Sequence, residues 1–171
     1  IRIVADSGED SENGDPGEIW VKGPGVFLGY WPDRDGGPDS QGWFGTGDIG
    51  YQDETGALHL VDRRRELIVV NGFNVFPREV EVALEALDDI AEAAVLGRPD
   101  AETGEGVSAL VVLAPGSGAT VELISEAVAK SLARFKCPTQ IRIVGNLPRS
   151  ATGKIAKGRL REVYGEIIEQ V

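Results

Sequence analysis

The 171-residue sequence has no methionine, one cysteine and one histidine. Cys137 has no second cysteine for an internal disulfide, and the lone His59, in an alternating apolar stretch, gives no metal-ligand spacing. We therefore expect both residues to be structural and predict no metal site. Because the chain begins at Ile1 and lacks methionine altogether, we interpret it as a piece of a longer protein.

Long apolar runs are also missing. No stretch approaches the roughly 18 apolar residues that a membrane-spanning helix needs, and the first residues do not resemble a signal peptide. We expect no transmembrane segment and a cytoplasmic location, with peripheral membrane association left open. The proportions of 42% hydrophobic and 26% charged residues are typical of a globular protein rather than a disordered one.

Basic residues are scarce in the first third of the chain. Residues 1–61 contain twelve acidic and three basic residues, whereas residues 62–171 contain sixteen acidic and fourteen basic ones. The overall charge of −11 argues against a nucleic-acid partner, because binding to a phosphate backbone needs a basic surface. The change in composition just before Arg63 predicts two structural units.

The first unit is predicted to be turn-rich β structure. Short strand patterns at Ile1–Val4 and Glu18–Lys22 alternate with turns rich in Gly, Pro and Asp. This part has little apolar material to bury by itself. We therefore interpret residues 1–61 as the β-rich end of a larger domain whose preceding part is missing.

The second unit mixes strands and helices, which predicts a small α+β domain with a short three-stranded sheet packed by helices, plus a β-hairpin. Strand patterns at Leu58–Val61 and Leu67–Val70 flank a charged connector and either pair or belong to different units. Further strands are predicted at Ala91–Leu96, Val107–Leu113 and Ile141–Val144.

Three helices are predicted in this second unit. Pro77 suits the first turn of one helix, and the Thr120 hydroxyl can cap a second, whose apolar face continues to Phe135 before Pro138 ends it. The last helix is expected to run to the end of the chain, with an apolar face at Leu160, Val163, Tyr164 and Ile167.

The loop Leu147–Ile155 carries Gly153 and Lys154 between a predicted strand and a predicted helix. A glycine lets the backbone approach a ligand closely, and the lysine ammonium is a mobile charge suited to phosphate or carboxylate. The alternative is a solvated lysine in a surface turn. The loop is not a phosphate-binding P-loop, because the first glycine of that motif is missing.

Between Ala127 and Arg161 there are nine basic residues and no acidic one, which suggests an anion-facing surface or a solvated basic face.

A second candidate is the glycine-spaced stretch Gly42–Gly50, which presents Asp48 between two glycines. A carboxylate can accept hydrogen bonds from vicinal hydroxyls such as those of a ribose. A simple β-turn is the alternative for this stretch.

Five motifs in order then carry a family resemblance: Gly42–Asp48, Val61–Ile68, Asn71–Glu81, Phe135–Pro138 and Pro148–Lys154. Together they resemble the closing third of acyl-CoA synthetases of the fatty-acid–CoA ligase type, within the adenylate-forming superfamily. The resemblance covers nearly the whole chain and is weakest over the first ten residues and between residues 99 and 121.

The resemblance implies a ribose site and a hinge. Asp48 is implied to bind the ribose hydroxyls of ATP, and Arg63 to add a second hydrogen bond to the same sugar. Residues 62–65 become a hinge between the incomplete large domain (1–61) and a mobile C-terminal domain (66–171). Arg65 aligns with the hinge position, which is often Asp or Lys in the family.

The resemblance also implies a catalytic lysine and a CoA channel. Lys154 is implied to contact the carboxylate and the α-phosphate during adenylation, and Gly72 to line the channel for the pantetheine arm of CoA. Lys136 could help to hold the CoA phosphates. The implied reaction joins a carboxylic acid, by default a fatty acid, to CoA through an acyl-adenylate, using ATP, Mg²⁺ and CoA.

The phosphate loop, adenine pocket and acyl tunnel of the family are expected in the missing N-terminal domain, which is the implied partner of this chain. We therefore expect the fragment alone to be inactive and to hold none of these cofactors. Two alternative functions are an amino-acid adenylation domain of a peptide synthetase, which a downstream carrier domain would favour, and a non-catalytic interaction module that retained the fold. The intact Asp48, Arg63, Gly72 and Lys154 argue against the module.

Overall fold

The computed structural model describes the backbone of residues 1–168 and the side chains of residues 1–163. The side chains of Tyr164 and Ile167, which were predicted to be on the apolar face of the last helix, lie outside the described side chains. The predicted end of that helix at 169–171 lies outside the described residues. The chain forms two compact units, Ile1–Arg65 (unit 1) and Glu66–Val171 (unit 2). None of the helices within residues 1–168 combines the length and the apolar character needed to cross a bilayer.

Unit 1 is a four-stranded antiparallel sheet in chain order. Its strands are β1 (Arg2–Val4), β2 (Gly17–Val21), β3 (Phe44–Gln52) and β4 (Leu58–Arg63). The two strands predicted in residues 1–22 are confirmed, and Ile3, Ile19 and Ile49 form the buried apolar positions. The alternative β-turn at Gly42–Gly50 is wrong, because most of this stretch lies in β3.

One glycine of β3 is required by close packing. A Cβ at Gly50 would lie 2.5 Å from the His59 carbonyl oxygen and 2.8 Å from the Ile19 side chain. His59 itself stacks on Tyr51, and its Nε2 lies 2.6 Å from the Asp53 carboxylate. The histidine is therefore engaged in the local structure of the β3–β4 hairpin.

Unit 2 is a mixed sheet covered by three helices, which confirms the predicted α+β class. After a 3-10 turn (Arg64–Glu66), the elements are β5 (Ile68–Val70), β6 (Phe73–Val75), α1 (Pro77–Glu85), β7 (Ile90–Asp100), β8 (Gly104–Leu113), α2 (Val121–Val128), a 3-10 turn (Arg134–Lys136), β9 (Gln140–Ile143) and α3 (Lys157–Ile168).

The sheet of unit 2 has five strands rather than three plus a separate hairpin. One edge of β8 pairs with β7 in antiparallel register, and the other edge pairs with β9 in parallel register. The β5–β6 hairpin joins β8 through the pair Val70–Gly104. The strand patterns at Leu58–Val61 and Leu67–Val70 belong to different sheets, which settles the alternative that the sequence left open.

The second helix is shorter than predicted. Thr120 caps it as expected, with its hydroxyl accepting from the Leu123 N–H at 3.5 Å, but α2 ends at Val128. The Val128 carbonyl accepts from the Ser131 hydroxyl at 3.0 Å and from the Leu132 N–H at 3.2 Å, so some helical hydrogen bonding continues just past the end of α2. Phe135 packs against the core from the following 3-10 turn.

The sheet of unit 2 is buried on both faces. Val95 belongs to a cluster that includes Val80 and Leu84 of α1 and Ile124 of α2. Leu96, the next residue on β7, belongs to a second cluster with Leu147 and Leu160. A strand that is buried on both faces reads as a continuous apolar run, which explains why Ala91–Leu96 has no alternation.

Candidate functional site

Asp48 and Arg63 face each other across strands β3 and β4. The two residues are direct partners in the strand register, and Arg63 Nε lies 3.3 Å from Asp48 Oδ1. The Asp48 side chain is 38% exposed and the Arg63 side chain is 57% exposed. This contact does not use the second carboxylate oxygen or the terminal guanidinium nitrogens. A hydroxyl-bearing ligand can therefore bind to both residues together.

Hydrogen bonds to β2 hold the residues just before Asp48. The Thr46 hydroxyl donates to the Ile19 carbonyl at 2.9 Å and accepts from the Asp48 N–H at 3.1 Å. The Gly47 N–H donates to Glu18 Oε1 at 3.2 Å. Gly47 has a φ of +73°, a conformation that glycine adopts without steric cost. The Thr-Gly-Asp sequence therefore fixes the backbone from which the carboxylate projects.

A cleft of about 630 Å³ surrounds this pair within unit 1. It is lined by Tyr30, Thr46, Gly47, Asp48, Arg63, Arg64 and Arg65. Two of its three guanidinium groups are ion-paired, Arg63 with Asp48 and Arg64 with Glu18 and Asp6, so the cleft offers donors and acceptors that suit a ligand with hydroxyl groups. The Arg64 guanidinium is paired with Glu18, so it also supports the β2–β3 part of the cleft wall.

Sequence reasoning assigned no role to Tyr30, Thr46 or Arg64 in this cleft. Thr46 and Arg64 are sequence neighbours of the assigned residues, so their motif position was an available signal. Tyr30 lies in the loop between β2 and β3, and no pattern in the sequence indicated that it lines the same cleft as Asp48.

Lys154 lies on an exposed turn of unit 2. The turn is closed by backbone hydrogen bonds from Ser150 N–H to the Lys154 carbonyl at 2.7 Å and from Gly153 N–H to the Ser150 carbonyl at 2.9 Å. Leu147 is buried at its start, and Ile155 packs against the same apolar cluster at its end. Among the side chains that the structure describes, Lys154 has no ion-pair partner. The ammonium is therefore available to an anionic ligand.

Gly72 occupies the tight turn of the β5–β6 hairpin. Asn71 and Gly72 have φ values of +50° and +81°, so both central residues of the turn are left-handed. No atom lies within 4 Å of the position of a Cβ at Gly72, so no neighbour requires a glycine there. The turn conformation itself favours glycine at this position. The turn joins strands β5 and β6.

Lys136 is already paired in unit 2. Its Nζ donates to both carboxylate oxygens of Glu79 at 2.7 Å. A phosphate that binds Lys136 therefore competes with Glu79. Cys137, which follows directly, donates its thiol to the Ala133 carbonyl at 3.5 Å.

Lys157, at the start of α3, forms a buried charge cluster that the sequence did not indicate. Its Nζ lies 2.8 Å from Glu66 and 2.8 Å from Glu81, and the three side chains are 14%, 17% and 7% exposed. Burial lowers the pKa of Lys157, but the charges and hydrogen bonds of Glu81 and Glu66 outweigh burial, so its pKa is raised. Lys157 is therefore a cation in the folded unit.

The structure groups Asp48, Arg63 and Arg65 in the cleft of unit 1, and places Gly72, Lys136 and Lys154 in unit 2. Asp62 and Arg63, two of the four residues predicted as the hinge, are part of β4. Within the described residues, no three His, Cys, Asp or Glu side chains lie close enough together to hold a metal ion.

Comparison with known proteins agrees with this architecture. Residues 79–154 match the family model of the AMP-binding enzyme C-terminal domain. The crystal structure of ATP-bound MatB from Rhodopseudomonas palustris superposes with a TM-score of 0.90 at 38% identity, covering 98% of this chain and 34% of that chain.

Two relatives are similar in sequence along most of the chain. The 3-[(3aS,4S,7aS)-7a-methyl-1,5-dioxo-octahydro-1H-inden-4-yl]propanoyl:CoA ligase of Mycobacterium tuberculosis is 42% identical over 152 residues, which are 87% of this chain and 30% of that protein. A long-chain-fatty-acid–CoA ligase of Yersinia pestis is 40% identical over 164 residues, 95% of this chain and 29% of that protein. The chain thus spans less than a third of the length of these two relatives.

Residues 79–154 belong to the AMP-binding enzyme C-terminal domain family, and the chain has the fold of the corresponding part of ATP-bound MatB. Its relatives are acyl-CoA ligases, and the chain carries the C-terminal domain of this type of protein.

Proposed function

We propose that this chain is the part of an ATP-dependent acyl-CoA synthetase that binds the ribose of ATP and supplies the adenylation lysine. The observation that carries the proposal is the Asp48–Arg63 pair in the cleft of unit 1. Its carboxylate can accept hydrogen bonds from the 2′- and 3′-hydroxyls of a ribose, while Arg63 donates to the same sugar.

Lys154 is the proposed catalytic residue of the adenylation step. In that step a carboxylate oxygen of the acid attacks the α-phosphorus of ATP, forming the acyl-adenylate and releasing pyrophosphate. Two anionic groups must approach each other, and negative charge develops on the α-phosphate oxygens. An ammonium that contacts both groups stabilises the transition state more than the separated substrates, which accelerates the step.

The second half-reaction is attack of the CoA thiol on the acyl-adenylate, which gives the thioester and AMP. For it we propose Gly72 beside the pantetheine arm, because the space around its missing side chain is open. Lys136 is the proposed contact for a CoA phosphate, in exchange for Glu79. Arg65 is the proposed hinge residue, within a linker at residues 62–65 that separates domains at 1–61 and 66–171.

The proposed acid is a fatty acid, which the similarity to a long-chain-fatty-acid–CoA ligase supports. ATP use is supported by the similarity to an enzyme solved with ATP bound. Mg²⁺ is proposed to neutralise the ATP phosphates, and we assign it no ligand among the described residues. We propose that the enzyme acts in the cytoplasm and that this chain alone is inactive without the preceding domain.

The test is Lys154→Ala in the intact enzyme, measured separately in the two half-reactions. We expect ATP–pyrophosphate exchange to fall by at least about 100-fold, since one preorganised electrostatic contact is worth this much. Thioester formation from supplied acyl-adenylate and CoA should largely survive, because this half-reaction does not need the lysine.

Lys22→Ala is the matched control, since it removes an exposed lysine from unit 1 that has no proposed role. This control should exchange pyrophosphate at the wild-type rate. Normal exchange by Lys154→Ala would show that the lysine is not catalytic, and thioester formation by the purified 171-residue chain would refute its predicted inactivity.

A further inference from the structure

The loop that carries Lys154 contains a second charged residue, Arg149, whose guanidinium connects two parts of unit 2. One terminal nitrogen donates to the Gly153 carbonyl oxygen at 2.7 Å, and the other donates to Glu92 Oε1 on β7 at 2.5 Å. We propose that Arg149 is a positioning residue that orients Lys154 for adenylation. The inference rests on the proposed function of Lys154.

The bond to Gly153 acts on the peptide group that leads into Lys154. The Gly153 carbonyl and the Lys154 amide belong to one planar unit, so fixing the oxygen also restrains the position of the Lys154 Cα. Gly153 has a φ of +82° and open space around its missing side chain, so this residue imposes little restraint by itself. The Arg149 guanidinium adds a side-chain restraint to the backbone hydrogen bonds that close the turn.

The bond to Glu92 ties the loop to the sheet. The backbone hydrogen bonds between Ser150 and Lys154 and between Ala156 and Pro148 close the loop on itself. Glu92 lies on β7, where it pairs with Val112 of β8. The apolar anchors Leu147 and Ile155 are non-directional, whereas a guanidinium that joins two acceptors has a fixed geometry. Arg149 therefore relates the orientation of the loop to the sheet.

Loss of Arg149 should affect catalytic activity much more than the stability of unit 2. The Arg149 and Glu92 side chains are 49% and 35% exposed, and an ion pair this exposed contributes little to the stability of a fold. Catalysis is more sensitive, because a displacement of about 1 Å of a reacting group can cost on the order of 100-fold in rate. Removing Arg149 should thus impair the chemistry while leaving the domain folded.

The test is Arg149→Gln in the intact enzyme, with adenylation followed by ATP–pyrophosphate exchange. We expect kcat to fall about 10- to 100-fold, KM for ATP to change less than about threefold, and the melting temperature to stay within about 2 °C of wild type. Thioester formation from supplied acyl-adenylate should be unchanged. Arg149→Lys should recover part of the rate, because an ammonium keeps the charge without the two-armed geometry.

Two further variants discriminate positioning from direct contact with a ligand. Glu92→Ala removes the acceptor that ties the loop to the sheet but leaves Arg149 in place, so kcat should also fall, by a smaller factor. The double variant should be no slower than Arg149→Gln alone, because both changes act through one restraint. Arg2→Gln is the matched control, since it breaks an exposed arginine–carboxylate pair with Asp10 in unit 1 and should leave exchange unchanged.

Three outcomes would overturn the positioning role: full kcat in Arg149→Gln, an increase in KM for ATP at constant kcat, or full activity of Glu92→Ala beside an impaired Arg149→Gln. If Lys154→Ala lowers exchange and Arg149→Gln does not, only the positioning role fails. If Lys154→Ala itself exchanges normally, the proposed function of the lysine fails, and the positioning role fails with it.

Discussion

Both units of this chain contain an ionic contact between residues distant in sequence, and the two contacts differ in burial. Asp48 and Arg63 in unit 1 are substantially exposed, and they line a cleft of about 630 Å³. In unit 2, Lys157 is enclosed between Glu66 and Glu81. Separating an exposed pair costs little free energy, so a ligand can replace its hydrogen bonds. Loss of one partner of a buried pair, in contrast, leaves a buried charge that is not compensated.

The difference in burial indicates which charged groups of each unit are available to a ligand. In unit 1, the charged groups on the strands are themselves available for binding. In unit 2, the proposed catalytic residue Lys154 is exposed, and the charged residues near it in the sequence, Arg149 and Lys157, are engaged with the sheet and with α1. Substitutions in the two contacts should therefore affect different observables.

The largest expected effect on stability follows Lys157→Gln. It removes the nearer of the two cations beside the buried Glu81, which keeps Arg78 at 3.5 Å, and should destabilise unit 2 by up to roughly 3–5 kcal/mol, measured by urea unfolding. Lys157→Arg keeps the charge and should lose much less. A change below about 1 kcal/mol in Lys157→Gln would show that the cluster is not a structural element, and the comparison between the two contacts would fail.

The raised pKa of Lys157 predicts how its contribution to the unfolding free energy depends on pH. Because the folded pKa lies above the ordinary value of 10.5, the stabilisation is complete below that pH and is lost as the pH rises through the folded pKa. The difference in unfolding free energy between wild type and Lys157→Gln should therefore be constant near neutrality and decrease in strongly alkaline solution.

The next expected effect is on ligand affinity. Asp48→Asn in the intact enzyme keeps the size of the side chain but removes the carboxylate, and a hydrogen bond to a charged group is worth about 1.5–3 kcal/mol. We expect KM for ATP to rise by roughly 10- to 100-fold, with unfolding free energy nearly unchanged because the pair is exposed. Asp33→Asn, at an exposed position in unit 1 with no proposed role, is the control.

If Asp48→Asn instead lowers the unfolding free energy markedly while the folded enzyme keeps its KM for ATP, the exposed pair is structural and the contrast between the units disappears.

The smallest effect is expected at Lys136. The Lys136–Glu79 pair is intermediate in burial between the exposed Asp48–Arg63 pair and the buried Lys157 cluster. Lys136→Gln should cost at most about 1 kcal/mol of stability. If the lysine contacts a CoA phosphate, KM for CoA should rise while KM for ATP stays constant. Glu79→Gln breaks the same pair but releases the lysine, so it should leave KM for CoA unchanged or lower it. Equal increases in both variants would indicate that the ion pair itself matters and not the phosphate contact.

Local features of the fold could be read directly from the sequence. Pro77 at the start of α1 and Thr120 at the cap of α2 act through their own backbone geometry and hydrogen bonds, which depend on neighbours within three residues. The apolar runs in β7 and β8 likewise indicated strands. The length of α2 was overestimated, since periodicity continued to Phe135 although the helix ends at Val128.

Contacts between distant residues could not be read in this way. The five-stranded sheet depends on the pair Val70–Gly104, and the cleft of unit 1 includes Tyr30 from a loop with no pattern of its own. The site roles assigned to Asp48, Arg63 and Lys154 came from motif resemblance, and they remain predictions that the variants above can test.

The sequence by itself determined the α+β class, the positions of most strands and helices, and the family, because propensities, capping and motifs are local properties of the chain. Only the tertiary structure decided which charged residues are paired, enclosed or exposed. Arg149 and Lys157 look alike in a basic stretch of sequence. One is tied to Glu92 at the surface and the other is buried between Glu66 and Glu81, because the packing of loop and helix against the sheet selects their partners.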